Sequence, residues 1–517
     1  MKRYWLVIVL MVLLMIVTLY IFRFGWDALP SDSIVVLWGA LAVAALVIAN
    51  ELRRPHFEEY NRKKALFPKI PEEYLSKEPP AAGVVFGKDY HTGKLVTESA
   101  HHCMAIGSTG SGKTACMLLP SILSQKTGSA QIIDIKSREL LLKSSNISDP
   151  KTIVIDLDHK AFFTWGWDIF YKLPKEGPVS EGEALKVIQE VASVVVPKTN
   201  SGDAFWSDAA RNEFIGLMLF EFCYGQSREF IDIIGSILQM PIRDHLELAL
   251  NAVQKTSFVT SYLTSLSAAA DETLFSVDLT LSQCIYHFVS DEAVWFLRDN
   301  PRRANPTMLN KEGVRQYLCC SEEKLDAGFD KLMVIVMKQT LTELQSRTTG
   351  GSYPLVNLYW DEFQKLSESL EEIRKVTASF LKTARSKNCA LTMVVQNLDA
   401  FDKSLVYDIV SNVHYLFVLS SNNANSLTSE VVCKMAGDYV EREKSVTEGK
   451  GTSSSVSFRE KPVLKPCDLN NLGEDAVLII TNHGYVRVKK QGYYCTEPYK
   501  SRYEKIITVN RELMEGV

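Results

Sequence analysis

The stretch GSTGSGKT at residues 107–114 decides the fold. A glycine-rich turn followed by Lys113 and Thr114 has the pattern of a P-loop. Its glycines, Gly107, Gly110 and Gly112, and the intervening Ser108, Thr109 and Ser111 let successive backbone N–H groups curl around a β-phosphate. Lys113 would then reach the β- and γ-phosphates, and the Thr114 hydroxyl would hold magnesium. A chance Gly/Ser turn is the competing reading, so the flanks must decide. HHCMAI (101–106) precedes the turn as a short apolar run of strand type, and ACMLLPSIL follows as a helix-like segment interrupted by Pro120. Strand, loop and helix stand in the order a P-loop needs, which predicts a nucleoside-triphosphate site.

Working outward, AQIIDIK (130–136) and TIVIDLD (152–158) are apolar runs of strand length alternating with helical segments. That alternation predicts a parallel sheet covered on both faces. From 180 to 300 apolar residues recur mainly at helical spacing, so an all-helical insertion is expected there. Strand texture returns at GVRQYLCC (313–320), and KLDAGFDKLMVIVMKQTLTELQ then reads as helix. PLVNLYWDEFQKL (354–366) is an apolar strand ending in Asp361 and Glu362, the form of a Walker B element. Asp361 would hold magnesium through its water shell, and Glu362 would orient or deprotonate the attacking water. A further apolar strand, ALTMVVQNL (390–398), ends in Gln396. An amide there can sense the γ-phosphate, or simply bond a loop.

Composition sets the limits. The chain has 517 residues, enough for about three domains, with 46% hydrophobic and 23% charged residues and a net charge of −4. No global nucleic-acid footprint follows from that charge, so any DNA contact must come from local surfaces. The ten cysteines include no CxxC pair, which favours a reducing compartment and argues against a zinc site. The first fifty residues differ from the rest. YWLVIVLMVLLMIVTLYIF (4–22) and IVVLWGALAVAALVIA (34–49) are free of charge, and the first is long enough to cross a bilayer. Lys2 and Arg3 precede the pair and Arg53, Arg54, Arg62, Lys63 and Lys64 follow it, so both ends are expected in the cytoplasm. The expected organisation is a two-helix anchor over 1–50, a charged and Pro-interrupted linker over 51–80, and a nucleotide-binding domain over 81–179 and 301–517. The helical insertion occupies 180–300. GVVFGKDYHTGKLVTES, at the start of the body, reads as a hairpin.

Taken together, GSTGSGKTACMLLPSIL, IIDIKSREL, FWSDAARNEF, YWDEFQKL, TARSKNCALTMVVQNLDAF and the C-terminal EKPVLKPCDLNNLGEDAVLIITNHGYVRVKKQGYY resemble the type IV coupling proteins. These are the TraG-type ATPases of bacterial conjugation and type IV secretion, and the likeness runs over roughly 80–495. The resemblance implies an α/β fold: a RecA-like P-loop domain with an inserted all-α domain, preceded by two transmembrane helices. It implies ATP and magnesium as cofactors, with Lys113, Thr114, Asp361, Glu362 and Gln396 in the roles given above. Arg385, in ARSKN, matches a basic position that acts across a subunit boundary as an arginine finger. The helical insertion is associated in the family with recognising the transferred complex. Implied partners are single-stranded DNA with an attached relaxase or protein substrate, the components of a type IV secretion channel, and other copies in a homo-hexamer at the bacterial inner membrane. Two departures stand out. WGWDIF (165–170) replaces an Asn-Pro pair found in many relatives, and the segment between the two membrane helices is only a short turn.

Three functions are compatible with these features. The first is a motor that pumps a DNA strand with its protein to a secretion channel. The second is an FtsK-type double-strand translocase, disfavoured by the insertion and by ARSKN. The third is a membrane receptor that uses nucleotide only as a switch, disfavoured by the intact Asp361–Glu362 pair.

Overall fold

In the computed structural model the P-loop run forms a strand buried at every position, Cys103–Ile106, with similar strands on either side. The structure describes Arg23 and residues 69–99, 101–198, 204–369, 371–420, 426–448, 452–481 and 484–515. Both expected membrane helices lie outside these residues. Among the described residues no helix is long and apolar enough to cross a membrane. All but Arg23 belong to one compact unit, Lys69–Val517.

The strands are, in chain order, β1 (Leu75–Ser76), β2 (Val84–Asp89), β3 (Leu95–Glu98), β4 (Cys103–Ile106), β5 (Ser129–Asp134), β6 (Thr152–Asp156), β7 (Gly166–Trp167) and β8 (Arg303–Ala304). They continue with β9 (Arg315–Cys319), β10 (Val356–Trp360), β11 (Cys389–Val395), β12 (Tyr415–Val418), β13 (Asp438–Glu448), β14 (Thr452–Pro462), β15 (Asp475–Ile480) and β16 (Gly484–Lys489). Twelve of them make one sheet, ordered β1-β3-β2-β16-β15-β12-β4-β11-β10-β5-β9-β6. From β12 to β6 every neighbouring pair is parallel. These strands are covered on both faces, which is why they read as unbroken apolar runs rather than alternating ones.

The remaining five strands extend the sheet in antiparallel fashion beyond β12. The hairpin of β2 and β3 meets the C-terminal β16 there, pairing Val488 with Asp89. Gly87 makes this meeting possible. It sits at a bulge with φ of 141°, and a Cβ at that position would lie 2.4 Å from the Lys489 carbonyl. The expected linker to residue 80 is corrected here: Ile70 and Tyr74 are buried in the core and β1 pairs with β3, so the folded body begins inside that stretch.

Among the described residues between β7 and β8 every regular element is helical, from Glu181–Val195 through Ala204–Tyr224, Phe230–Gln239, Ile242–Ala252, Phe258–Ser267 and Asp271–Ile285 to the turns ending at Asp299. Ser257 and Ser290 start two of these helices by accepting a hydrogen bond from Val259 N and Ala293 N. The excursion leaves and re-enters beside itself, since β7 pairs in parallel with β8. WGWDIF supplies β7. A Cβ on Gly166 would stand 2.3 Å from the Phe296 carbonyl, and the Trp167 indole donates to Gln339 Oε1 at 2.7 Å. That segment therefore clamps the base of the helical block to the buried helix Asp330–Gln345.

Within the block, Glu213 is fully buried. Burial, reinforced by the charge of Asp278, pushes its carboxyl up to about 9. The folded protein thus holds a proton that the unfolded chain releases above its ordinary value of 4.5. Stability from this site is full below that value and is lost progressively as pH rises toward the folded value. A Glu213→Gln variant is expected to melt several degrees above the parent at pH 8, a gain of up to about 5 kcal/mol, with little difference at pH 4.5. Parallel melting curves across that range would mean that Glu213 is ionised in the folded state.

Candidate nucleotide site

Three strand ends converge at one edge of the parallel sheet. β11 lies between β4 and β10, with Ile106 opposite Val395 and Trp360 opposite Met393. The P-loop leaves β4, the two acids follow β10, and Gln396 follows β11, so one sheet edge collects every element expected of the site except Arg385.

Gly110 and Gly112 hold left-handed φ of 78° and 98°, which curls the loop. A side chain at Gly107 would crowd the loop, since a Cβ there would lie 2.5 Å from Ser111 Oγ and force that hydroxyl to move. The loop is pinned from outside by Ser108 N donating to the Ser420 carbonyl at 2.9 Å and by Lys490 Nζ donating to the Ser111 carbonyl at 3.2 Å. Lys113 is buried and turned back onto its own loop, donating to the carbonyls of Gly107 (2.6 Å) and Ser108 (3.2 Å). Burial draws its pKa down, while Glu362 and Asp361 work against that. The helix after the loop opens with a wide π turn, Thr114–Leu118, and becomes α at Leu119–Ser124. Pro120 therefore falls in the first turn of the α segment, where a missing N–H costs little, and does not break the helix.

Asp361 and Glu362 are almost entirely buried, at 1% and 3% exposure. Glu362 has a left-handed φ of 48°, unusual for a residue with a long side chain and common where function fixes the backbone. Thr114 Oγ1 donates to Asp361 Oδ2 at 3.3 Å. Gln396 Nε2 donates to Glu362 Oε2 at 3.1 Å, and its backbone N–H goes to Gln364 Oε1. Sequence reasoning missed Lys136. Its ammonium lies 3.3 Å from Asp361 Oδ2 and 3.0 Å from Glu362 Oε1. Burial disfavours its charge, but the two carboxylates outweigh burial and hold its pKa above the usual range. The acids respond differently. Burial keeps Asp361 raised despite Lys136, whereas for Glu362 burial is outweighed by Lys136 and Gln396, leaving it lowered. Lys136 follows β5 closely, as the acids follow β10, and these strands are neighbours, with Trp360 opposite Ile133. IIDIKSREL carries Lys136 within the family resemblance, but its place beside the acids follows only from that strand adjacency, which is absent from local sequence.

The residues present fit a magnesium–triphosphate group. The loop has the left-handed glycines a phosphate cradle uses, the Ser111 hydroxyl is buried there without a hydrogen-bond partner, and a hydroxyl and a carboxylate stand side by side as hard oxygen donors. Arg385 is elsewhere. It is exposed, on the turn Ala384–Lys387 that precedes β11. The seven residues of β11 separate it from Gln396, roughly 20 Å of strand. There it faces the opposite sheet edge, where His102 is lowered to about 4 by burial and by the charges of His101 and Arg385.

Residues 63–516 match the family described as type IV secretory system conjugative DNA transfer. The chain belongs to that family. No curated protein matches it. Among solved structures, the bacterial conjugative coupling protein TrwB in its unbound monoclinic form shares 15% identity at a TM-score of 0.56, over 75% of this chain and 85% of that one. TrwB in complex with the ATP analogue ADPNP gives 16% and 0.56 over the same shares. TrwB with ADP and Mg2+ gives 16% and 0.55, again over 75% and 85%. At such identity the likeness speaks for the fold: this family member has the α/β architecture of TrwB over most of both chains.

Proposed function

We propose that this family member is a membrane-anchored P-loop ATPase that couples a DNA or nucleoprotein substrate to a type IV secretion or conjugation channel and drives its transfer by ATP hydrolysis. The observation that carries the proposal is the convergence of Lys113, Thr114, Asp361, Glu362 and Gln396 at one edge of the sheet. The ADPNP and ADP–Mg2+ complexes of TrwB support ATP and magnesium as the cofactors. Residues 1–50 serve as the anchor, about 70–179 and 301–517 as the nucleotide-binding domain, and 180–300 as the domain that selects the substrate. The active form is a homo-hexamer, and both termini lie on the cytoplasmic side of the inner membrane.

In this reading Gly107 to Thr114 wrap the phosphates with backbone N–H groups, and Lys113 exchanges its two loop carbonyls for phosphate oxygens. Thr114 and Asp361 would hold a magnesium ion, which would supply positive charge against the phosphates. Glu362 orients the attacking water and accepts its proton, with Gln396 fixing the carboxylate through the 3.1 Å bond. The expected result for the full-length protein in detergent is ATP turnover that requires magnesium and rises severalfold with single-stranded DNA. A rate indifferent to DNA in assembled rings would favour a docking receptor over a DNA motor.

A further inference from the structure

One oxygen serves two partners. Asp361 Oδ2 accepts the Thr114 hydroxyl at 3.3 Å and also the Lys136 ammonium at 3.3 Å. We propose that Lys136 is the resident counter-cation of the Walker B pair: it neutralises Asp361 and Glu362 when no nucleotide is bound, and yields Asp361 to magnesium when one loads. The inference rests on the nucleotide-site reading above.

Two adjacent carboxylates buried to 1% and 3% exposure repel each other and are costly to leave without a positive partner. Between rounds of hydrolysis no metal need be present, so the chain must supply that partner. Lys136 reaches both acids, and its side chain is 32% exposed whereas theirs are 2% and 5%. The Lys136 side chain is therefore the solvent-facing member of the trio and can move with less disturbance to the core than either acid.

Its backbone, by contrast, is fixed. Asp134, buried at the end of β5, accepts hydrogen bonds from Lys136 N (3.2 Å), Leu140 N (2.7 Å) and Leu141 N (3.0 Å). Ser137 and Arg138 follow with left-handed φ of 51° and 70°. Neither is glycine, so the surroundings impose this shape. Arg138 anchors the far side by an ion pair to the buried Asp156, Nε to Oδ2 at 2.5 Å. A rigid loop that presents a movable ammonium to the one oxygen shared with Thr114 is what a competitor for the metal requires.

The test uses manganese as the probe, measured by electron paramagnetic resonance on the nucleotide-free full-length protein. Lys136→Met and Lys136→Gln are expected to bind Mn2+ at least tenfold more tightly than the parent, because the competing ammonium is gone. Lys136→Arg should stay weak. Adding Asp361→Asn to Lys136→Met should abolish the gain, which places the ion at that carboxylate. Both neutral variants should melt lower than the parent without metal and regain the loss with Mn2+. Unchanged or weaker Mn2+ binding in the neutral variants, in protein where Asp361→Asn still removes Mn2+–ATP binding, overturns the counter-cation role and leaves the nucleotide site standing. If Asp361→Asn leaves Mn2+–ATP binding intact, the nucleotide-site reading itself falls.

Discussion

A Glu362→Gln variant is expected to bind ATP as the parent does and to turn it over at least about a hundredfold more slowly. The substitution keeps the side chain's length and shape and removes its ability to take a proton. An amide oxygen at this position can still accept from Gln396, so the contact between the β10 and β11 ends survives. In the folded protein Lys136 and Gln396 overcome burial and hold the Glu362 carboxyl below its usual value, so the base is ionised at neutral pH. The loss should therefore fall on kcat. Lys113→Ala makes the useful contrast, because it deletes the ammonium that reaches phosphate and should weaken binding as well. Equilibrium binding of a fluorescent ATP analogue, measured beside turnover, separates the two. If both variants lose binding equally, Glu362 is a structural residue and the assignment of the base is wrong.

How far such a site can be read from sequence depends on how local its determinants are. β4, β5, β6, β10 and β11 declare themselves because a parallel strand buried on both faces needs an unbroken apolar run. The turn chemistry of GSTGSGKT is equally local. Neighbour relations are not. Nothing near β10 states that β11 on one side and β5 on the other will flank it, yet this order places Gln396 and Lys136 on the same acid pair. Beyond the hairpin of β2 and β3, which the sequence shows, the antiparallel extension is hidden for a similar reason. β2 and β16 stand at opposite ends of the folded body and meet only because Gly87 allows close approach to the Lys489 carbonyl. The start of the body at Ile70 and Tyr74 is masked by the charge and proline around them, a linker-like composition in which these two residues are nevertheless buried.

In the proposed homo-hexamer Arg385 tests the other boundary of the site, the one between subunits. Its place before β11, roughly 20 Å of strand from Gln396, removes it from the chemistry of its own chain. An exposed arginine at that edge can serve hydrolysis only by meeting the pocket of a neighbour. Arg385→Ala is then expected to bind ATP normally and to lose about a hundredfold or more in turnover, because positive charge at the transition state is missing from every interface. The loss should be repairable by mixing. A Lys113→Ala subunit is inactive in its own pocket but still offers Arg385, and an Arg385→Ala subunit still offers an intact pocket. Rings containing both should recover part of the parent rate, since some interfaces join a working pocket to a working arginine. Arg385→Lys should rescue poorly, because a point charge does not reproduce the planar two-pronged contact of a guanidinium. Rings shown by mass analysis to contain both subunits, yet without recovered turnover, would reduce Arg385 to a surface charge.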